Sequence, residues 1–188
     1  VTDLLYACYD AASQGGAYKK ILEKIKNRYM EIIDGLDLNL NLDPEFDKIE
    51  ENFLAGAGRD YAASRGEYLN GIVIAEYLGF PFVDAAEVIV FNDDGSFDAE
   101  ETNRELSERL ESLDRAVIPG FYGAKRDGSV KTFTRGGSDV TGAIVARAIH
   151  ADMYENWTDV SGMLVTDPRI VNDPEVIETI TYKELREL

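Results

Sequence analysis

Two short stretches join turn-forming glycines to hydroxyl and charged side chains. One is Thr134-Arg135-Gly136-Gly137-Ser138-Asp139 and the other is Thr158-Asp159-Val160-Ser161-Gly162. Residues of these types suit an anionic ligand. Glycine lets backbone N–H groups come close, a helix start supplies partial positive charge, and an arginine pairs with a carboxylate or phosphate. Together the stretches point to phosphoryl transfer between a nucleotide and a small acid. Ser138 and Asp139 stand where a helix N-cap belongs, and a cap is needed with or without a bound anion. Ser64-Arg65-Gly66-Glu67 has the S-x-x-E form of a capping box, which local hydrogen bonds alone would explain. Gly66 is a poor helix former there, so the sequence predicts that something approaches the backbone, and Glu67 would then meet a substrate ammonium.

Other chemistry-bearing residues have plainer readings. Thr158-Asp159 and Thr166-Asp167-Pro168-Arg169 are both good turn sequences. Their closeness after one predicted strand favours a site, because ligands in open α/β sheets bind outside the carboxyl ends of strands. His150, the single histidine, falls at a predicted helix C-terminus, where its charge would complement the dipole. No histidine catalysis or metal site is therefore expected. Cys8 and Trp157 read as core residues, and the acidic residues of 17–56 and 99–113 as solvated faces.

The elements that would carry these residues follow from apolar spacing. Helices are predicted over 2–12 and 17–33, with a third opened by Asp43-Pro44, since proline in the first helical turn loses no needed hydrogen bond. The stretch 36–42 alternates Leu with Asp or Asn and is read as a helical linker. Composition changes near Gly58. Strands are predicted at 86–91, 116–123 (broken by Pro119-Gly120) and 153–157, with helices at 99–113 and 138–150. Asp127-Gly128 signals a hairpin turn. Strands alternating with helices imply α/β layers around a mostly parallel sheet. The expected organisation is a peripheral helical lobe over 17–57 and a sheet-containing core over 58–188.

Composition sets further bounds. At 188 residues and 45% apolar, the chain suits one domain or a large part of one, with a real core. Its 19 basic and 36 acidic residues give a net charge of −17. Such a surface repels nucleic acid and anionic lipid, and neither is an expected partner. It repels ATP too, so a nucleotide site needs local Arg, Lys, helix N-termini and Mg²⁺. One cysteine cannot form an internal disulfide, and no apolar run is long enough to span a bilayer, so a cytoplasmic location is expected. The chain begins at Val1 within a predicted helix and ends within another, and both ends read as truncations.

The stretch from Phe133 to Thr141, the stretch Trp157-Thr158-Asp159-Val160-Ser161-Gly162 and Thr166-Asp167-Pro168-Arg169 resemble aspartate kinases. Ser64-Arg65-Gly66-Glu67 resembles that family's S-x-G-E segment, and Thr2-Asp3-Leu4-Leu5 its first helix start. The T-D-x-x-G element alone marks the wider amino-acid kinase superfamily. R-G-G-S-D combined with S-x-G-E is more specific.

The resemblance implies an αβα sandwich of three layers. It also implies ATP-dependent phosphorylation of the L-aspartate side-chain carboxylate, the first step towards lysine, threonine and methionine. Arg135 would bind an aspartate carboxylate, Glu67 its amino group, and Thr2 would line the pocket. Ser138 and Asp139 would stand beside the substrate, with Asp139 ordering the catalytic site. Thr158, Asp159, Asp167 and Arg169 would line the nucleotide pocket, Mg²⁺ would accompany ATP, and the complete protein would be a homo-oligomer.

The family's N-terminal K-F-G-G strand, its later lysine and its ACT domains do not appear in this sequence, and Leu164 stands where many members have tyrosine. This chain alone is therefore expected to be inactive or nearly so. The alternatives are a glutamate or acetylglutamate kinase, or a non-catalytic aspartate-binding, nucleotide-binding or scaffold domain. Arg135 with Glu67 favours a free amino acid over an N-acetylated one.

Overall fold

The computed structural model describes residues 1–134, 136–157 and 162–185. Two units divide the chain, Val1–Tyr154 and Glu155–Leu188.

The first unit opens with four helices: α1 (Thr2–Ser13), α2 (Tyr18–Gly35), α3 (Asp43–Leu54) and α4 (Arg59–Leu78). In α2, Leu22, Ile25, Tyr29 and Ile33 are buried at helical spacing while the charged residues face out. Pro44 sits in the first turn of α3 as expected, and Gly79 closes α4 in the left-handed conformation. One hydrophobic core joins Leu5, Ile25, Phe46, Phe53, Leu69 and Val73 from all four helices. Cys8 lies in this core, as expected, and burial together with the nearby Glu50 pushes its thiol up to about 11.

The stretch 36–42 is not helical. Asp37 takes a left-handed φ of 53°, and burial then alternates, with Leu42 only 2% exposed. The alternating leucines thus face the core as in extended chain, but pair with no strand.

A second core gathers Val83, Val88, Ile89, Phe91, Leu106 and Tyr122. It is built from α5 (Ala85–Val88), β1 (Val90–Phe91), α6 (Ala99–Leu110), β2 (Tyr122–Lys125), β3 (Val130–Thr132) and α7 (Gly137–Ala148). β1 runs parallel to β2, pairing Val90 with Ala124, and β2 runs antiparallel to β3, pairing Tyr122 with Thr132. Phe82 and Val117 make a further parallel bridge. Helices around a mixed sheet realise the α/β expectation, and the β2–β3 hairpin turns at Gly128 (φ 82°), where Asp-Gly predicted it.

Two predicted strands are corrected. The run 86–91 begins as helix because the Asp84 carboxylate accepts from the Ala86 N–H at 3.0 Å and caps α5, leaving only Val90 and Phe91 to pair. Residues 153–157 form no strand. The Tyr154 ring packs against Gly142 of α7, and Trp157, expected in the core, is 88% exposed.

In the second unit, Leu164 and Val176 form an antiparallel bridge, and α8 (Tyr182–Leu185) opens with Thr181 and Glu184 bonded reciprocally, as in a capping box. Among the described residues no helix is long and apolar enough to cross a membrane.

Candidate active site

Ser64-Arg65-Gly66-Glu67 lies within α4, not at its start, which corrects the capping-box reading. Gly58 opens the helix at φ 94°, and the Ser64 hydroxyl donates back to the Tyr61 carbonyl at 2.8 Å. The prediction that something approaches Gly66 holds. A Cβ on Gly66 would meet Leu5 Cδ1 at 3.5 Å and Thr2 Oγ1 at 3.8 Å, so the N-terminus of α1 is seated on this turn. The Tyr29 hydroxyl donates to the Gly66 carbonyl at 2.9 Å. Burial, aided by Glu67, pushes Tyr29 up to about 12 and keeps it a donor. Thr2 is thus seated on the turn of α4 that precedes Glu67, and both residues are exposed.

Asp60, Glu67 and Gly71 recur at spacings that place them on one stripe of α4. The ends of that stripe make specific contacts. Asp60 accepts hydrogen bonds from Lys131 and Thr132 of β3. At the other end, a Cβ on Gly71 would lie 2.9 Å from the Phe82 ring and 3.4 Å from Pro119. Glu67, between them, faces the same side.

Pro119 leads into the segment that holds α7. A Cβ on Gly120 would fall 2.9 Å from Ser138 Cα, and one on Gly137 would fall 2.9 Å from Phe121 Cα, so neither position tolerates a side chain. Phe121 adopts φ 82°, a strained value for a ring-bearing residue. Its N–H donates to Thr141 Oγ1 at 3.0 Å, and that hydroxyl donates to the Gly137 carbonyl at 2.7 Å. The strained loop and the first turn of α7 therefore lock each other in place.

Gly136, in the left-handed conformation (φ 57°), is the N-cap, and no side chain caps the helix. Ser138 therefore does not act as the cap. Ser138 and Asp139 are exposed in the first turn, beside N–H groups that the helix itself leaves unpaired. α4, through Gly71, and α7, through Gly137 and Ser138, both close on the segment 119–121. Arg135, Thr158 and Asp159 lie outside the described residues.

In the second unit Asp167 and Arg169 hold each other. The Arg169 guanidinium donates to both Asp167 oxygens, the shorter contact at 2.6 Å, and its N–H donates at 2.8 Å. This pairing draws the Asp167 carboxyl below the usual carboxylate range.

No motif in the chain marks Tyr29, Asp60, Thr132 or Thr141 as site residues. The Pro119-Gly120 pair does carry a signal, that of a break in a strand.

The chain matches the model of the amino acid kinase family over residues 12–188. It is 34% identical to aspartokinase 3 of Bacillus subtilis, covering 100% of this chain and 44% of that protein. The structure is similar to that of Clostridium acetobutylicum aspartate kinase, with a TM-score of 0.91 and 50% identity over 100% of this chain and 43% of that one. It is also similar to Escherichia coli aspartokinase III in complex with aspartate and ADP, with a TM-score of 0.75 and 27% identity over 94% of this chain and 44% of that one. The chain thus spans less than half the length of the relatives it matches. With the family pattern matched over nearly its whole length and the same fold around the first turn of α7, the chain belongs to the amino acid kinase family.

Proposed function

We propose that the protein to which this chain belongs phosphorylates the side-chain carboxylate of L-aspartate with ATP. The observations behind the reading are the seating of Thr2 on Gly66, next in sequence to Glu67, and the first turn of α7, without a side-chain cap, held against the segment 119–121. The similarity to aspartate kinases over the full chain supports it. Glu67 receives the substrate ammonium, Arg135 its carboxylate, and Thr2 lines the pocket. Ser138 and Asp139 stand beside the reacting group, with Asp139 ordering it.

An aspartate carboxylate oxygen attacks the γ-phosphorus in line, the bond from phosphorus to the β,γ-bridging oxygen breaks, and ADP leaves. The nucleophile is already ionised, so the protein abstracts no proton. It holds two anions together and offsets their charge. Thr158, Asp159, Asp167 and Arg169 are assigned to the nucleotide. Among the described residues no three acidic, His or Cys groups cluster for a metal. Mg²⁺ would come with the nucleotide, where it would neutralise phosphate charge. A cytoplasmic homo-oligomer, with 17–57 as a peripheral lobe on a 58–188 core, completes the reading.

ATP-dependent aspartyl phosphate, trapped as the hydroxamate, tests the proposal in the full-length protein, with this chain assayed in parallel. Product with aspartate but not with glutamate or N-acetylglutamate is the expected result. Product only with glutamate or N-acetylglutamate would place the protein elsewhere in the family, and none with any acceptor would favour a binding or scaffold role.

A further inference from the structure

We propose that Asp60 is a positioning residue for the reaction, setting the separation between Glu67 and the glycine loop that carries Arg135. The inference rests on the aspartate-kinase reading. Asp60 lies in the first turn of α4, where an acidic residue would ordinarily face solvent and complement the helix dipole. Here it reaches across to β3 instead. Its carboxylate accepts from Lys131 Nζ at 2.8 Å, from Thr132 Oγ1 at 3.0 Å and, at longer range, from the Thr132 N–H at 3.4 Å.

β3 ends the described sheet, and this carboxylate meets its outward N–H in place of a further strand. Burial works against ionisation of Asp60, but the bonds from Lys131 and Thr132 outweigh it and hold the carboxyl below its usual range. The clamp is thus formed with the charged group, which makes its bonds shorter and stronger than neutral ones.

Position gives the clamp its use. Along α4, Asp60 and Glu67 share a stripe and lie about 10 Å apart, two helical turns. Along the other arm, Thr132 is the last residue of β3, and the glycine loop follows directly. The loop start is held from its other side as well, by the Phe133 N–H donating to the Phe121 carbonyl at 2.9 Å and by the Phe133 ring, tilted against Phe91 with centroids 4.9 Å apart. With that side fixed by the core, Asp60 ties the strand that leads into the loop to the helix that bears Glu67. An amino acid gripped by Glu67 at one end and by the glycine loop at the other senses that separation, whereas ATP does not.

The test is steady-state kinetics on the full-length protein by hydroxamate trapping. Asp60→Ala and Thr132→Val are each expected to raise the aspartate KM by about tenfold or more, with the ATP KM within about twofold. Thr132→Ser should stay close to wild type because it keeps the hydroxyl. The double variant should be no worse than the more affected single one, as for two ends of one link. If Asp60→Ala does not fold, Thr132→Val and Lys131→Met carry the test, since each removes only a donor.

Unchanged aspartate KM with a lower melting temperature, equal rises in both KM values, or additive effects would overturn the proposal and leave a structural tie. Wild-type protein that makes no hydroxamate would instead overturn the reading beneath it.

Discussion

A free amino acid offers a cation and a carboxylate on one carbon, so a site that grips it needs opposite charges held a fixed distance apart. Arg135 and Glu67 supply those charges in our reading, and their types matter as much as their signs. A guanidinium pairs with a carboxylate through two parallel N–H donors, which fixes orientation as well as affinity. Arg135→Ala in the full-length protein is expected to raise the aspartate KM by about 100-fold and the ATP KM by little, since a charge-assisted pair is lost from one substrate only. Initial-rate kinetics with each substrate varied would check this, and equal effects on both KM values would place Arg135 between the substrates instead.

At the scale of the element, α4 carries the argument. It packs into the first core through Leu69 and Val73, while Tyr68 touches both cores. Arg65, only 6% exposed, lies at this junction with its Cζ 4.5 Å from the Tyr61 ring centre, 4.3 Å from Tyr68 and 5.4 Å from Tyr122. Its guanidinium also donates to Ser64 Oγ at 3.0 Å.

The hydroxyls of two of these tyrosines donate outward to carboxylates, Tyr68 to Glu45 at 2.7 Å and Tyr122 to Asp84 at 2.6 Å. Three rings therefore receive a cation whose charge is balanced by carboxylates at the far ends of two of them, linking α3, α4, β2 and the cap of α5. Desolvated cation–π contacts contribute about 1–2 kcal/mol each. Arg65→Ala should cost roughly 2–4 kcal/mol in urea unfolding, and Arg65→Met should recover no more than about half of that. Full recovery by methionine would mean that the site asks only for volume.

For the whole molecule, several buried groups stay neutral in the folded state. Burial raises Cys8 from 9.0 to about 11 and Tyr29 from 10.0 to about 12, each with a neighbouring glutamate adding to the shift. Burial pushes Tyr68 and Tyr122 further still, reinforced by Glu45 and Asp84. A group whose folded pKa lies above its unfolded value stabilises the protein fully below the unfolded pKa and loses that contribution as pH rises. These groups should leave stability unchanged below about pH 9 and erode it steeply from about pH 9 to 12. Urea midpoints measured across that range would check the slope, and a flat profile would show that these side chains are already solvated. The same chain bears a net charge of −17, so the anion binding proposed at α7 would act against the field of the whole surface.

Local chemistry was legible in the chain. The helical spacing of Leu22, Ile25 and Tyr29, proline in the first turn of α3, the Asp127-Gly128 turn and the glycine loop before α7 each depend on neighbours within a few residues, and each stands in the structure. The capping-box form of Ser64-Arg65-Gly66-Glu67 misled for the same reason: it is a local pattern, and α4 begins earlier because Gly58 turns the chain there. The strand read at 86–91 failed because Asp84 supplies a helix cap that apolar content does not reveal.

What only the tertiary structure decided are the pairings between distant segments. These are the seating of Thr2 on Gly66, the approach of Gly120 to Ser138, and the grip of Asp60 on Thr132. Each is a meeting of small or polar residues that carry no periodic signal. Such residues acquire a role only when the burial of two hydrophobic cores brings their backbones within a few ångströms.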